Sequence, residues 1–306
     1  MQLAHPVRKL SPTQKARLIM SYSHVTLLIM GLTRLSQGAA PQNPVTSDPS
    51  PYVAGPSRSG YAEAAGTRLY YEIHGAGRPL LMLHGGLGSS EHFAASVPHF
   101  AKRFRVILVD RRGHGRSPNT SEPFSYSGMA RDMKAFLDAI GISSAHVVGW
   151  SDGGVVGYHL AAGYPGIVTR LVAVGANIRV DGMNSKSIKW IENRMTEAGI
   201  ASDSPQVKES FARFSPNPDR FADFVRKSRE LWLRDPNISP AEFDRISIPT
   251  LLIAGDRDDI LHQHMIELQS RLKGAQLCII PNADHFLMQQ KNALFNTIVT
   301  DFLEGR

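Results

Sequence analysis

The period of apolar and polar positions changes repeatedly along this chain. From residue 61 onward, apolar runs of four to seven residues alternate with stretches in which apolar residues recur every three or four positions. Residues 61–65 and 68–73 read as a hairpin turning at Gly66. Residues 80–83, 104–109, 145–148, 168–174, 250–254 and 276–280 read as buried strands. Residues 126–140 have helical spacing, with Met129, Met133, Phe136, Leu137 and Ile140 on one face. Further helices are expected at 154–162, 263–272 and 286–303. Strands without a polar face, alternating with helices, predict a mostly parallel sheet of eight strands covered on both sides, an α/β fold.

Between Gly175 and Ile248 the rhythm breaks. No strand is legible there. Residues 183–198, 206–214, 219–233 and 240–246 read as helices, punctuated by Pro216, Pro218, Pro236 and Pro240. This predicts a helical lid at about 181–247, above the carboxyl edge of the sheet. Its large apolar residues, among them Met183, Trp190, Met195, Phe211, Phe214, Phe221, Phe224 and Trp232, suit either a substrate pocket or packing between lid helices.

Charge and composition change the picture mainly at the amino terminus. The 306 residues carry a formal charge of +7, and five of those excess charges (Arg8, Lys9, Lys15, Arg17, Arg34) lie in the first 40 residues, which hold no acid. The remainder is close to neutral, so the basic balance is no argument for a nucleic-acid partner. Basic residues, an apolar stretch at 25–32 and the small residues Gly38-Ala39-Ala40 fit a signal or targeting segment over 1–40, cleaved after Ala40. That reading implies a periplasmic or secreted protein; the alternative is a cytoplasmic one with an extended start. The apolar run is too short for a stable membrane span. Residues 41–58, rich in Pro, Ser and Gly, read as a flexible linker before a domain over 59–306. The lone cysteine, Cys278, excludes an intrachain disulfide or a cysteine metal cluster and reads as a small buried apolar residue.

Candidate chemistry gathers at strand ends. Gly149-Trp150-Ser151-Asp152-Gly153 has the form G-x-S-x-G between a predicted strand and a predicted helix, the context of a nucleophile elbow. Ser151 is therefore the candidate nucleophile; the competing reading is a glycine-rich turn with a bystander serine. A serine hydroxyl needs a base. His285, between the last strand and the closing helix, is the expected base. His262 and His264 compete as a metal pair, but no third ligand is apparent and a solvated helix end is preferred. Asp258 is the expected acid, with Asp256 and Asp259 reading as loop capping and partners of Arg257. Acyl transfer also needs backbone donors for the oxyanion: Asp152, and Gly86 with Leu87 as the fallback. His84 reads as a structural hydrogen-bonding residue, and the 110–117 loop as packing and hydrogen-bonding near the site, with a direct substrate role for Arg111 or Arg112 as the alternative. No metal and no organic cofactor is expected.

Together these residues resemble the alpha/beta-hydrolase superfamily. The resemblance covers roughly Tyr61 to Leu303 through His84-Gly85-Gly86, the 110–117 loop, the Ser151 elbow, Gly255 to Asp258 and Asp284-His285, in that order. It implies the α/β-hydrolase fold with its lid, and Asp258 as the acid three residues past Gly255. Within the superfamily the Gly149–Gly154 elbow and Gly175-Ala176-Asn177 are similar to the valacyclovir-hydrolase (biphenyl-hydrolase-like) branch. That likeness implies that Asp152 attracts a substrate amino group and favours amino-acid esters; Leu87 and Trp150, beside the expected oxyanion donors, are further candidate substrate contacts. The other reading of Asp152 is a helix N-terminal acid.

The expected activity is hydrolysis of a small carboxylic ester or lactone through an acyl-enzyme. Carbon–carbon bond hydrolysis or cofactor-free peroxidation on the same triad is the alternative, and a non-catalytic ligand sensor is the remote one.

Overall fold

The computed structural model describes residues 57–306. The expected targeting segment, and the linker up to residue 56, lie outside the described residues. Eight strands follow in chain order: β1 (Arg58–Ala64), β2 (Thr67–His74), β3 (Arg78–Leu83), β4 (Phe104–Val109), β5 (Ala145–Trp150), β6 (Val168–Val174), β7 (Thr250–Gly255) and β8 (Gln276–Ile280). They form one sheet in the order β1-β2-β4-β3-β5-β6-β7-β8. The β1–β2 and β2–β4 pairs are antiparallel, and every other pair is parallel. This is the alpha/beta-hydrolase architecture.

Successive strand residues face opposite sides, so each central strand serves two cores. Leu81, Leu83, Val147, Leu171 and Leu252 join one buried cluster, and Leu80, Met82, Val148, Val172 and Leu251 join the other. The second is closed by α1 (Val97–Phe100), α10 (Leu287–Gln290) and α11 (Asn292–Glu304). The first is closed by α2 (Tyr126–Ala139), α3 (Asp152–Gly163) and α9 (His262–Arg271). Apolar residues on both faces of these strands are what erased the two-residue alternation in the sequence.

The segment between β6 and β7 folds as helices α4 (Ser185–Arg194), α5 (Glu197–Asp203), α6 (Pro205–Phe214), α7 (Phe221–Arg234) and α8 (Pro240–Phe243). The single helix expected over 183–198 is two: Thr196 caps α5 by accepting the Gly199 N–H at 3.1 Å, which restarts the chain in a new direction. The closing helix is likewise interrupted at Lys291. Phe211, Phe221 and Phe224 pack on one another, with the Phe211 and Phe224 rings stacked at 4.7 Å, and Phe224 also packs on His114 and Phe124 outside the lid. Cys278 departs from expectation. It is only half-buried, because β8 is an edge strand with Ile279 exposed beside it. Among the described residues no helix is long and apolar enough to cross a membrane.

Candidate active site

β5 ends at Trp150 and α3 begins at Asp152, so Ser151 alone makes the turn. Its backbone sits at φ 54°, ψ −122°, a strained conformation for a residue with a side chain. Two things hold it there. The Ser151 N–H donates to Val174 O at 2.7 Å on the neighbouring strand. The chain also crosses itself closely: a side chain on Gly149 would lie 2.3 Å from Gly153 O, and one on Gly153 would lie 2.0 Å from Leu83 O. The hydroxyl is thereby lifted out at the carboxyl edge of the sheet.

The loops after β7 and β8 bring the other two candidates to it. His285 Nε2 lies 3.0 Å from Ser151 Oγ, and His285 Nδ1 lies 2.8 Å from Asp258 Oδ1. Asp258 is fully buried and also accepts the backbone N–H groups of Ile260 at 3.0 Å and Gly255 at 3.3 Å. Burial opposes its charge, but the facing imidazole and these donors outweigh it and keep the carboxyl below its usual pKa. Burial likewise pulls the His285 pKa down, and the Asp258 charge more than reverses this, raising it to about 9. The other acids act elsewhere. Asp256 accepts the Ala283 N–H at 3.0 Å and lies 3.8 Å from Arg257, whereas Asp259 accepts from Ser187 Oγ at 2.7 Å at the start of α4.

Trp150 and Leu87 are both buried. Trp150 is 2 % exposed, packs against His92 and Phe286, and donates its indole N–H to His285 O at 2.8 Å. It braces the histidine loop from below. Leu87 turns into the main core at φ 55°. Gly86 lies against the elbow: a side chain there would lie 2.5 Å from Asp152 Oδ2 and 2.4 Å from the Trp232 ring.

Asp152 is buried and already bonded. Its Oδ1 accepts from Tyr126 OH at 2.8 Å, its Oδ2 accepts from Trp232 Nε1 at 3.1 Å, and Arg111 Nη2 stands 3.9 Å from Oδ2. Tyr126 was not expected at the site; Arg111 was expected near it and Trp232 as a pocket or lid-packing residue, but no spacing in the sequence links any of the three to Asp152. Tyr126 begins α2 and Trp232 belongs to α7, so the lid reaches the elbow through this carboxylate. Arg112 instead makes a two-pronged pair with Asp132 at 2.8 Å for each bond.

His264 is a correction to the solvated helix end. It is buried, and its Nε2 accepts the Ile178 N–H at 3.1 Å, while His262 Nε2 faces Gly255 O at 2.9 Å. Among the described residues no group of three or more His, Cys, Asp or Glu side chains is placed to hold a metal ion.

Residues 78–237 match the family model for the alpha/beta hydrolase fold. The RutD protein of Azorhizobium caulinodans is 43% identical over 122 residues, 40% of this chain and 46% of that relative. The serine hydrolase BPHL of Homo sapiens is 28% identical over 246 residues, 78% of this chain and 84% of the relative. Among solved structures, carboxylesterase CesB from Bacillus subtilis superposes with a TM-score of 0.70 at 21% identity, covering 84% of this chain and 94% of that one.

Proposed function

The chain belongs to the alpha/beta hydrolase family, and from that premise we propose that it is a serine hydrolase of carboxylic esters or lactones acting through an acyl-enzyme. One observation carries the reading: Asp258, His285 and Ser151 stand in an unbroken hydrogen-bonded line, at 2.8 Å and 3.0 Å, at a strained elbow. Ser151 Oγ attacks the substrate carbonyl carbon as His285 Nε2 takes its proton. Asp258 holds the ring and stabilises the imidazolium. The backbone N–H groups of Asp152 and Gly86 receive the charge that forms on the carbonyl oxygen. His285 then returns the proton to the leaving alcohol, or to the ring-opened hydroxyl of a lactone. Water, activated by the same histidine, clears the acyl group.

The preferred acyl group is uncharged. A substrate ammonium would have to compete at Asp152 with Tyr126, Trp232 and the nearby Arg111 guanidinium. This argues against aminoacyl esters as the favoured class.

The test is turnover of short p-nitrophenyl esters and simple lactones by the wild-type protein and by Ser151→Ala. Loss of roughly 10³-fold or more in kcat is expected for the variant. Equal turnover by both would reject the serine route. Beta-diketones and peracid formation, run beside the esters, separate carbon–carbon cleavage and peroxidation from ester hydrolysis.

A further inference from the structure

We propose that Arg111 is a positioning residue for the oxyanion site: it fixes the peptide that presents the Gly86 N–H to the nucleophile. The proposal rests on the acyl-transfer reading above.

Arg111 follows β4 and is 0 % exposed. Its Nη2 donates to His84 O at 2.9 Å and to Gly85 O at 3.0 Å. Gly85 O has a second donor. The Arg111 backbone N–H donates to His84 Nε2 at 3.1 Å, so the His84 proton is on Nδ1, which donates to Gly85 O at 2.7 Å. Burial and the adjacent guanidinium hold the His84 pKa well below its usual value, so the ring keeps this neutral form.

Two donors on one carbonyl oxygen fix the plane of the Gly85–Gly86 peptide. In a trans peptide the C=O and the following N–H point in opposite directions. With Gly85 O held on the Arg111 side, the Gly86 N–H is directed to the other side. The Gly85 backbone lies over the nucleophile, since a side chain there would come within 3.3 Å of Ser151 Cβ. Among the described residues no hydrogen bond uses the N–H of Gly86 or of Asp152. Hydrogen bonds to the carbonyl also polarise the amide and strengthen the N–H as a donor. Arg111 further lies 3.9 Å from the carboxylate of Asp152, the residue supplying the second donor.

The guanidinium is satisfied only in part. Its Nε has no partner among the described residues, and its Nη1 faces only the weak acceptor Met129 Sδ at 3.1 Å. Burying a cation so incompletely paired costs stability, although its removal leaves the buried Asp152 carboxylate without the guanidinium 3.9 Å away.

The test uses the full chain with Arg111→Met and Arg111→Lys, measuring kcat, KM, thermal midpoint and the affinity of a phenylboronic acid, whose tetrahedral adduct on a serine mimics the intermediate. A fall of roughly 10²-fold in kcat with KM little changed is expected for the Met variant. Boronate affinity falls in parallel, read on the fraction that the thermal midpoint shows to be folded. Arg111→Lys, which retains the charge but ends about one bond short of the place of Nη2, shows most of the same loss and serves in place of Arg111→Met should that variant fail to fold. A kcat within threefold of wild type, or a loss accounted for by unfolded protein, would overturn the proposal. An inactive Ser151→Ala beside a fully active Arg111→Met defeats this inference alone; an active Ser151→Ala defeats the acyl-transfer reading itself.

Discussion

In the proposed reaction, charge at one nitrogen of His285 sets when the site works. With its pKa raised to about 9, the ring is mostly imidazolium at neutral pH and has no lone pair for the serine proton. Activity, measured as kcat/KM, is therefore expected to climb between pH 7 and pH 9 and to level off above. Asp258→Asn removes the charge that raises this pKa. The burial that opposes it then dominates, so the climb should move to lower pH while the plateau falls by roughly 10³- to 10⁴-fold. A pH–rate profile of both proteins decides it; an unmoved profile in the variant would show that Asp258 does not govern the base. Ser151, Asp258 and His285 were each legible because chemistry restricts the residue type and the fold restricts its place, at the end of a strand. Tyr126, Trp232 and Arg111 carried no such mark. Their role exists only because three separate segments converge on one carboxylate.

The helix that joins lid to site is α7. Its buried residues Phe221, Phe224, Val225, Ser228 and Leu231 recur at helical spacing, which is why it was readable to within two residues of its observed bounds. The adjoining Trp232 is half-buried and donates to Asp152 Oδ2 at 3.1 Å. Trp232→Phe keeps an aromatic ring but deletes the donor, at a cost of about 1 kcal/mol. Hydrogen exchange across α7 should quicken by roughly fivefold in the variant, while exchange in the central strands stays unchanged. Equal acceleration in both would mean that the bond stabilises the whole domain and does not latch the lid. The start of α5 was harder to read, because Thr196 looks like any helix residue until its hydroxyl is seen to cap the next segment.

Across the molecule, the lid is tied to the loop after β4 by polar contacts in a dry setting. Lys227 is 2 % exposed; its ammonium reaches Thr120 O, Asn119 Oδ1 at 3.2 Å and Asp223 at 3.0 Å, over the ring of Phe124. Arg220 adds a bond to Asn119 O at 2.8 Å. Lys227→Met leaves those buried acceptors without their donor and should cost about 2 kcal/mol, read as a lower denaturation midpoint in urea. Limited proteolysis should then cut first within residues 205–234; first cuts elsewhere would show that the lid is held by other means.

Sequence by itself determined the sheet, its flanking helices, the helical insertion and the identity of the three residues at the elbow and the late loops. Those follow from local rules: apolar period, turn chemistry, and the narrow choice of groups that can activate a hydroxyl. Tertiary structure alone decided what surrounds them. It tied Trp150 to the His285 loop and buried Leu87, closed Asp152 with donors from α2 and the lid, and set Arg111 beneath the Gly85 carbonyl. Such contacts join positions far apart along the chain, and no periodicity records a distance that only folding closes.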